Sequence, residues 1–180
     1  MNILHVSAEC SPFVKVGGLA DVVGTLPQEI KRLRNMDTRV IIPYYQSVIT
    51  RFGRKTTHVT HFSISLGTKQ SVYVGIESLK RENILYYFVD NVFYFGSRSD
   101  TYNYGDESER FAFFQIAVLE AIARIDFKPD IIHVHEWHTA VSPLLSKRRY
   151  HEIHAKTVLS NHSLQYQGIF PVDHAQLFQL

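Results

Sequence analysis

The sequence lacks the features that mark secreted proteins, membrane proteins and proteins stabilised by a cysteine-bound metal. It contains one cysteine, Cys10, among 180 residues, so no intramolecular disulfide can form and no cysteine-rich metal site can be built. No apolar run approaches the roughly 20 residues that a membrane-spanning helix needs. The N-terminus has neither the basic lead nor the long hydrophobic region of a secretory signal. These absences predict a cytoplasmic protein that does not interact with membranes.

An excess of one charge is also absent, since 19 Lys and Arg are balanced by 17 Asp and Glu. The basic residues are scattered and form no stripe with interleaved aromatics, which excludes the usual pattern of nucleic-acid binding. With 45% hydrophobic and 20% charged residues, the composition is that of a folded globular domain.

Short apolar runs alternate with helical patterns along the chain. The runs at residues 3–6, 40–42, 84–89, 131–134 and 158–159 are typical of strands buried on both faces. Partial alternation over 57–77, around a turn at 67–69, predicts an antiparallel hairpin inserted in the sheet. The pattern predicts an α/β fold, a Rossmann-like three-layer domain with a parallel sheet.

Three helices are expected between these strands. The first covers about 19–33 and should be kinked or split by Pro27. The second should begin at an Asp106 cap, with Glu109 completing a capping box, and run to about residue 125. The third should cover 138–149, with His138 as a possible cap.

Three polar loops follow strands of this sheet. In the first, Gly17 and Gly18 precede a helix and Lys15 adds a positive charge, a combination that favours an anionic phosphate. By spacing alone, however, paired glycines before a helix are more often a simple turn. The third loop, over 160–168, is rich in groups that can hydrogen-bond sugar hydroxyls.

The second loop carries histidines. On a strand, His133 and His135 point to the same face, so a metal site that also uses His138 is conceivable. The spacing is not that of a known zinc motif, and histidines at a strand end are more often hydrogen-bonded structural groups. Because all three loops should emerge at the carboxyl edge of the sheet, near the topological switch point, we expect a nucleotide-sugar or polyol ligand.

A family resemblance rests on four ordered stretches. Residues 15–24, KVGGLADVVG, closely resemble the signature of bacterial glycogen synthases and plant starch synthases. Residues 7–13, 109–114 and 133–140 agree as well, and they are followed in order by His162 and residues 164–171. The resemblance covers essentially the whole chain.

The resemblance implies a GT-B glycosyltransferase, in which two Rossmann-like domains close over a cleft. Such an enzyme transfers glucose from ADP-glucose to the non-reducing end of an α-1,4-glucan such as glycogen, with retention of configuration and with neither a metal nor another cofactor. Residues 1–180 would be its N-terminal catalytic domain, incomplete, and the C-terminal nucleotide-binding domain would lie outside this chain. Because catalysis needs both walls of the cleft, the chain alone is expected to be inactive.

The resemblance also assigns residues. Donor binding falls to Lys15, Gly17, Gly18 and Asp21, and catalysis to His162 and Glu136. The sugar pocket would be lined by Glu9, Tyr94, Phe95, His138, Ser163 and Gln165.

Two departures from the family pattern keep alternatives open. Glu136 stands where relatives usually carry aspartate, and Asn161 and Ser163 flank His162 where relatives carry isoleucine and asparagine. The chain could therefore be a non-catalytic glucan-binding or regulatory remnant. A metal-dependent hydrolase that uses His133, His135 and His138 is the third hypothesis. The sequence leaves the choice between ADP-glucose and UDP-glucose open.

Overall fold

The computed structural model describes residues 1–179, in which seven strands form one sheet. The strands are β1 (Asn2–Val6), β2 (Asp37–Pro43), β3 (Thr57–Leu66), β4 (Lys69–Arg81), β5 (Ile84–Asp90), β6 (Ile131–His135) and β7 (Lys156–Ser160). Their spatial order is β3-β4-β5-β2-β1-β6-β7. All five strands predicted from apolar runs are present, and the α/β fold is confirmed.

Four α-helices connect the strands. They are α1 (Gly18–Lys31), α2 (Gln46–Phe52), α3 (Glu107–Ile122) and α4 (Ser142–Arg149). Shorter helical turns lie at Val92–Gly96, Trp137–Thr139 and Val172–Phe178. No helix within residues 1–179 is both long enough and apolar enough to cross a membrane.

The parallel part of the sheet contains β5, β2, β1, β6 and β7, as the alternating pattern predicted. The predicted hairpin is the antiparallel pair β3–β4, which occupies the edge of the sheet because β4 also pairs antiparallel with β5. The tight turn between β4 and β5 uses Glu82 and Asn83, both with left-handed φ angles of 50° and 66°. The hairpin thus extends the sheet at one edge instead of interrupting it.

Pro27 does not split α1, contrary to one form of the prediction, since the helix runs unbroken from Gly18 to Lys31. A proline in a helix removes one N–H and leaves the carbonyl four residues earlier without its usual partner. That carbonyl belongs to Val23, and the buried Cys10 thiol lies 3.6 Å from it as a donor. Burial raises the pKa of Cys10, so the thiol keeps its proton. The Cys10 thiol thereby gives the Val23 carbonyl a hydrogen-bond donor in place of the N–H that Pro27 lacks.

Neither predicted side-chain cap is formed, since the Asp106 side chain makes no capping hydrogen bond to α3 and a residue other than His138 caps α4. The Asp106 carboxylate instead accepts two hydrogen bonds from the Arg98 guanidinium, at 2.6 and 2.5 Å. At the start of α4, the Gln115 side chain from α3 accepts the N–H groups of Val141 and Ser142 at 2.8 and 2.9 Å. His138 lies in the turn before α4 and does not cap it. The capping group is thus provided by a distant helix.

The strand order creates a topological switch point between β1 and β6. From β1 the chain continues to β2 on one side, and from β6 it continues to β7 on the other. In open parallel sheets, ligands bind at such a point, outside the carboxyl ends of the strands. The register pairs His5 of β1 directly with His133 of β6, which brings histidines of two strands together beneath this crevice.

Candidate functional site

The first loop, residues 9–18, is held by a buried carboxylate. Glu9 is 4% exposed and accepts the backbone N–H groups of Val16 and Gly17 at 2.6 and 3.0 Å. A Cβ placed on Gly17 or Gly18 would meet no atom of the described residues within 4 Å. The backbone at the start of α1 is therefore open to a ligand.

Lys15 and Asp21, both predicted to bind the donor, form an ion pair beside this helix start. The Lys15 Nζ donates to the two carboxylate oxygens of Asp21 at 2.7 and 2.8 Å. Both side chains are 56% exposed, so the pair is solvated and can exchange partners at little cost. The ammonium group of Lys15 can therefore turn from Asp21 to an anion bound near Gly17.

Tyr102, which sequence reasoning missed, connects the first loop to the second. Its hydroxyl donates to the other oxygen of the Glu9 carboxylate at 2.8 Å. Its ring stacks on His138 with centroids 5.1 Å apart. Tyr102 comes from an irregular segment between the Val92–Gly96 turn and α3, where no periodic pattern marks a residue as buried.

His138 is packed inside an aromatic cluster and lies beneath the crevice. Besides Tyr102, it contacts Trp137 and Phe111, at centroid distances of 4.0 and 4.6 Å. Burial, and secondly the charge of Arg110, lower the pKa of His138 to about 3, so the ring is neutral. His138, which the resemblance assigned to the sugar pocket, is thus buried and held among aromatic rings.

Glu136 joins the second loop to the third. Its side chain is buried, and one carboxylate oxygen accepts the backbone N–H groups of His162 and Ser163 at 2.5 and 3.1 Å. Its own N–H donates to the carbonyl of Ser160 at 2.9 Å. The backbone of Glu136 adopts φ 63° and ψ 176°, a region that residues other than glycine rarely occupy. Strain of this kind persists only where the surrounding contacts enforce it, and here those contacts position the His162 backbone.

His162 is exposed at the mouth of the crevice. Its Nε2 lies 3.3 Å from Nδ1 of His135, and the two rings are nearly parallel with an interplanar angle of 11°. Gln165 is exposed and lines an open cleft together with Trp137 and Phe170. Three of the residues predicted for catalysis and the sugar pocket, His162, Ser163 and Gln165, therefore lie on one loop.

The third loop packs closely on the second at Gly168. This glycine has a φ angle of +60°, and a Cβ there would lie 2.4 Å from the indole of Trp137. Phe170 also packs on that indole, with ring centroids 5.3 Å apart. The loop can approach Trp137 only because residue 168 has no side chain.

The histidine group differs from the predicted one. Within residues 1–179, the three histidines that can each place one ring nitrogen within 4.8 Å of the others are His5, His133 and His135. His138 is not among them, so the hypothesis of a metal site made of His133, His135 and His138 is wrong. Burial lowers the pKa of His133, and lowers those of His5 and His135 to about 3 and about 2, which keeps all three neutral. Sequence reasoning missed His5, although its position in the first parallel strand could have suggested a pairing with His133.

Tyr94 and Phe95, which the resemblance assigned to the sugar pocket, are buried in this structure. They are 2% and 0% exposed and belong to the aromatic core. The Tyr94 hydroxyl donates to Glu109 of α3, and Phe95 packs against Phe111 at a centroid distance of 6.3 Å. The turn at Val92–Gly96 directs both rings inward, whereas its exposed aromatic residue is Phe93, at 64%.

Comparisons with known proteins show the family of this chain. Residues 2–180 match the family model of the starch synthase catalytic domain. Glycogen synthase from Geobacillus thermodenitrificans strain NG80-2 is 42% identical over 175 residues, a match that covers 95% of this chain and 36% of that protein. Glycogen synthase from Desulforamulus reducens is 45% identical over 175 residues, with the same two shares.

Among solved structures, the catalytic domain of starch synthase IV from Arabidopsis thaliana, bound to ADP and acarbose, superimposes with a TM-score of 0.87 at 27% identity. That match covers 99% of this chain and 37% of the solved plant chain. The chain thus spans little more than a third of the length of the relatives it matches. A family model that matches nearly every residue and curated relatives above 40% identity agree, and the chain belongs to the glycosyltransferase family of glycogen and starch synthases.

Proposed function

We propose that this chain forms the N-terminal wall of the active-site cleft in a two-domain retaining glucosyltransferase. The enzyme would transfer glucose from ADP-glucose to the non-reducing end of an α-1,4-glucan, and the second wall would come from a C-terminal nucleotide-binding domain. The observation that carries the proposal is the convergence of three loops at the switch point, held together by the carboxylates of Glu9 and Glu136. ADP in the plant starch synthase IV structure supports a nucleoside diphosphate as ligand.

The first loop suits the diphosphate of the donor. When the sugar bond breaks, negative charge develops on the leaving phosphate, and preorganised donors there lower the barrier. The open start of α1 at Gly17 and Gly18 provides N–H groups and the positive end of the helix dipole. Lys15 can leave Asp21 and add a full charge, because its ion pair is solvated. These groups supply the required charge from the protein itself.

The third loop suits the glucose. His162 is exposed at the mouth of the crevice, and its N–H and that of Ser163 both donate to the Glu136 carboxylate, which fixes the backbone here. Because that carboxylate already accepts two N–H groups, Glu136 acts as a positioning residue, and His162 is the residue that contacts the sugar. The longer side chain of glutamate still reaches this loop, so the departure from aspartate is compatible with an ordered site.

Glucose transfer tests the proposal. Radiolabelled ADP-glucose and glycogen are incubated with this chain and with a longer version that carries the second domain, and UDP-glucose serves as the competing donor. We expect transfer only by the longer protein and only from ADP-glucose. In that protein Lys15→Ala should reduce kcat/KM by about tenfold or more, since it removes one charge-assisted contact.

Lys55→Ala is the matched control, because Lys55 is an exposed lysine in another part of the chain and should leave activity unchanged. If neither protein transfers glucose but both bind glycogen, the chain is a glucan-binding remnant. Transfer from UDP-glucose alone would correct the donor and leave the reaction class in place.

A further inference from the structure

A row of three imidazoles extends from the crevice into the core behind His162. The Nδ1 atom of His135 lies 3.3 Å from Nε2 of His162, and the Nε2 atom of His135 lies 3.2 Å from Nδ1 of His5. His135 and His5 are both 0% exposed, whereas His162 is exposed. One exposed ring is therefore hydrogen-bonded to a buried ring, which is hydrogen-bonded to another.

The number of protons in the row restricts its hydrogen bonds. A neutral imidazole carries one N–H and one lone pair. His135 is neutral because burial lowers its pKa to about 2, so it can donate to only one of its two neighbours and must accept from the other. Both hydrogen bonds then point the same way along the row, either from His5 towards His162 or in the reverse direction.

The buried end of the row decides between these two directions. Nε2 of His5 is buried and has no hydrogen-bond partner among residues 1–179. If the row ran from His162 to His5, this atom would carry a proton and would be a buried N–H without an acceptor, which is rare in proteins. If the row runs from His5 to His162, the same atom is a bare lone pair and His5 carries its proton on Nδ1. The second arrangement leaves no buried N–H of the row unpaired, and the one free N–H is on the exposed ring of His162.

We propose that His5 and His135 are positioning residues that hold His162 in the tautomer with its proton on Nδ1. Nε2 of His162 accepts from His135, so the ring presents an N–H donor to the ligand in the crevice. The consequence for the ligand rests on the proposed function: the N–H group of His162 then faces an oxygen atom of the transferred sugar. His162 would thus have one fixed proton position before any ligand arrives.

A metal ion bound by His5, His133 and His135 is the competing explanation for the cluster. The geometry disfavours it, because each of these rings already has a hydrogen-bond partner. Nε2 of His133 lies 2.8 Å from the Ser160 hydroxyl, and His5 and His135 are hydrogen-bonded to each other. The rings of His133 and His135 also stack at 4.1 Å, so ordinary packing explains their proximity.

Nuclear magnetic resonance can observe the tautomer directly. The chain is labelled with ¹⁵N in its histidine rings, and long-range ¹H–¹⁵N correlations are recorded at pH 7.5. We expect His162 to show a protonated Nδ1 and an unprotonated Nε2. His135→Leu should abolish this pattern and give a population protonated on Nε2. His135→Asn should restore it, because the asparagine amide nitrogen takes the position of Nδ1.

His154→Leu is the control variant, since His154 is exposed and lies outside the row. A wild-type His162 protonated on Nε2 would overturn the proposal, and this measurement does not depend on whether the variants fold. One equivalent of zinc chloride should leave the ring signals unchanged, whereas stoichiometric shifts at His5, His133 and His135 would indicate a metal site instead. Because no step requires catalysis, the expected tautomer together with no glucose transfer by the longer two-domain protein would refute the proposed function alone.

Discussion

The carboxylate of Glu136 accepts a hydrogen bond at 2.5 Å from the backbone N–H of His162. The same oxygen accepts the N–H of Ser163, so two successive amides of the third loop depend on one buried group. The acceptor belongs to a residue with a φ angle of 63°, which places backbone strain next to the contact that positions the loop. The strain and the contact can be separated by mutation.

Glu136→Ala should lower the free energy of unfolding by about 1.5–3 kcal/mol, because it removes the buried carboxylate that two amides of the third loop share as acceptor. Urea denaturation followed by circular dichroism measures this change. Hydrogen exchange should also become faster at the amides of His162 and Ser163. Glu152→Ala is the control, since Glu152 is exposed, and it should have an effect near zero.

Glu136→Gly separates the strain from the carboxylate. Glycine adopts the observed φ and ψ without steric cost, so this variant should be more stable than Glu136→Ala by about 1 kcal/mol. The same urea denaturation compares the two variants. A Glu136→Gly protein that is less stable than Glu136→Ala would show that the backbone at residue 136 carries no strain.

Gly168→Ala should displace the third loop from Trp137, because the new Cβ would lie 2.4 Å from the indole. Overpacking of this kind lowers the free energy of unfolding by about 1–3 kcal/mol. We expect the third loop to move in order to relieve the clash. Trp137 is the only tryptophan in the chain, so all of the protein's tryptophan fluorescence comes from the ring on which this loop packs. We expect a red-shifted emission maximum.

Gly105→Ala is the matched control, since a Cβ there meets no atom of the described residues within 4 Å. It should leave the emission unchanged. An unchanged spectrum in Gly168→Ala as well would mean that the loop does not rest on the indole in solution.

Much of the fold followed from periodicity in the sequence. The apolar runs of β1, β2, β5 and β6 reflect burial on both faces, which depends mainly on local composition, whereas Val158 and Leu159 of the edge strand β7 are 42% and 50% exposed. The three loops were correctly expected at one edge because the carboxyl ends of parallel strands meet there. Where the prediction failed, a distant residue had changed the outcome. Arg98 binds the carboxylate of Asp106 that should have capped α3, and Cys10 compensates for Pro27 in α1.

The candidate site was predictable only in part, for the same reason. His162 and Lys15 lie in motifs, so their places could be expected from the resemblance. Tyr102 lies in an irregular segment, and its role depends on a contact across 93 residues with Glu9. His5 contacts His135 across 130 residues, which no local pattern records. Motifs identify residues that touch ligands, but they do not identify the residues that support them.

Stability should fall as the pH falls below about 6.5. Burial lowers the pKa values of His5, His135 and His138 to about 3, about 2 and about 3 in the folded protein, whereas an unfolded histidine has a pKa of about 6.5. Between these values the unfolded chain binds more protons, so protonation favours unfolding. In this range each histidine lowers the free energy of unfolding by up to about 1.4 kcal/mol for every unit by which the pH falls. Above pH 7 each histidine is neutral in both states, and its full contribution to stability is present.

Urea denaturation at pH 8, 7, 6 and 5 measures this dependence. His138→Phe keeps an aromatic ring in the stack with Tyr102 and should reduce the slope by about one proton, whatever its effect on stability at pH 8. His151→Asn, at an exposed position, should retain the wild-type slope. An equal slope in His138→Phe and wild type would show that His138 is protonated in the folded protein.

The contact between Tyr102 and Glu9 should be energetically coupled to the loop before α1. Burial raises the pKa of Tyr102, so its hydroxyl stays protonated and donates to Glu9, which in turn accepts the amides of Val16 and Gly17. Tyr102→Phe, Glu9→Gln and the double variant form a cycle, and we expect a coupling of about 1.5–3 kcal/mol, as for hydrogen bonds to charged groups.

Hydrogen exchange at Val16 and Gly17 provides the structural readout of this cycle. Tyr102→Phe should accelerate exchange there, because the carboxylate loses one of the groups that hold it in place, whereas Tyr166→Phe, at an exposed position, should not. If the cycle gives a coupling energy of this size and hydrogen exchange at Val16 and Gly17 becomes faster, Tyr102 helps to fix the loop that is proposed to bind the diphosphate. A coupling near zero would mean that Glu9 holds this loop through its amide contacts alone, and Tyr102 would then serve only to pack against His138.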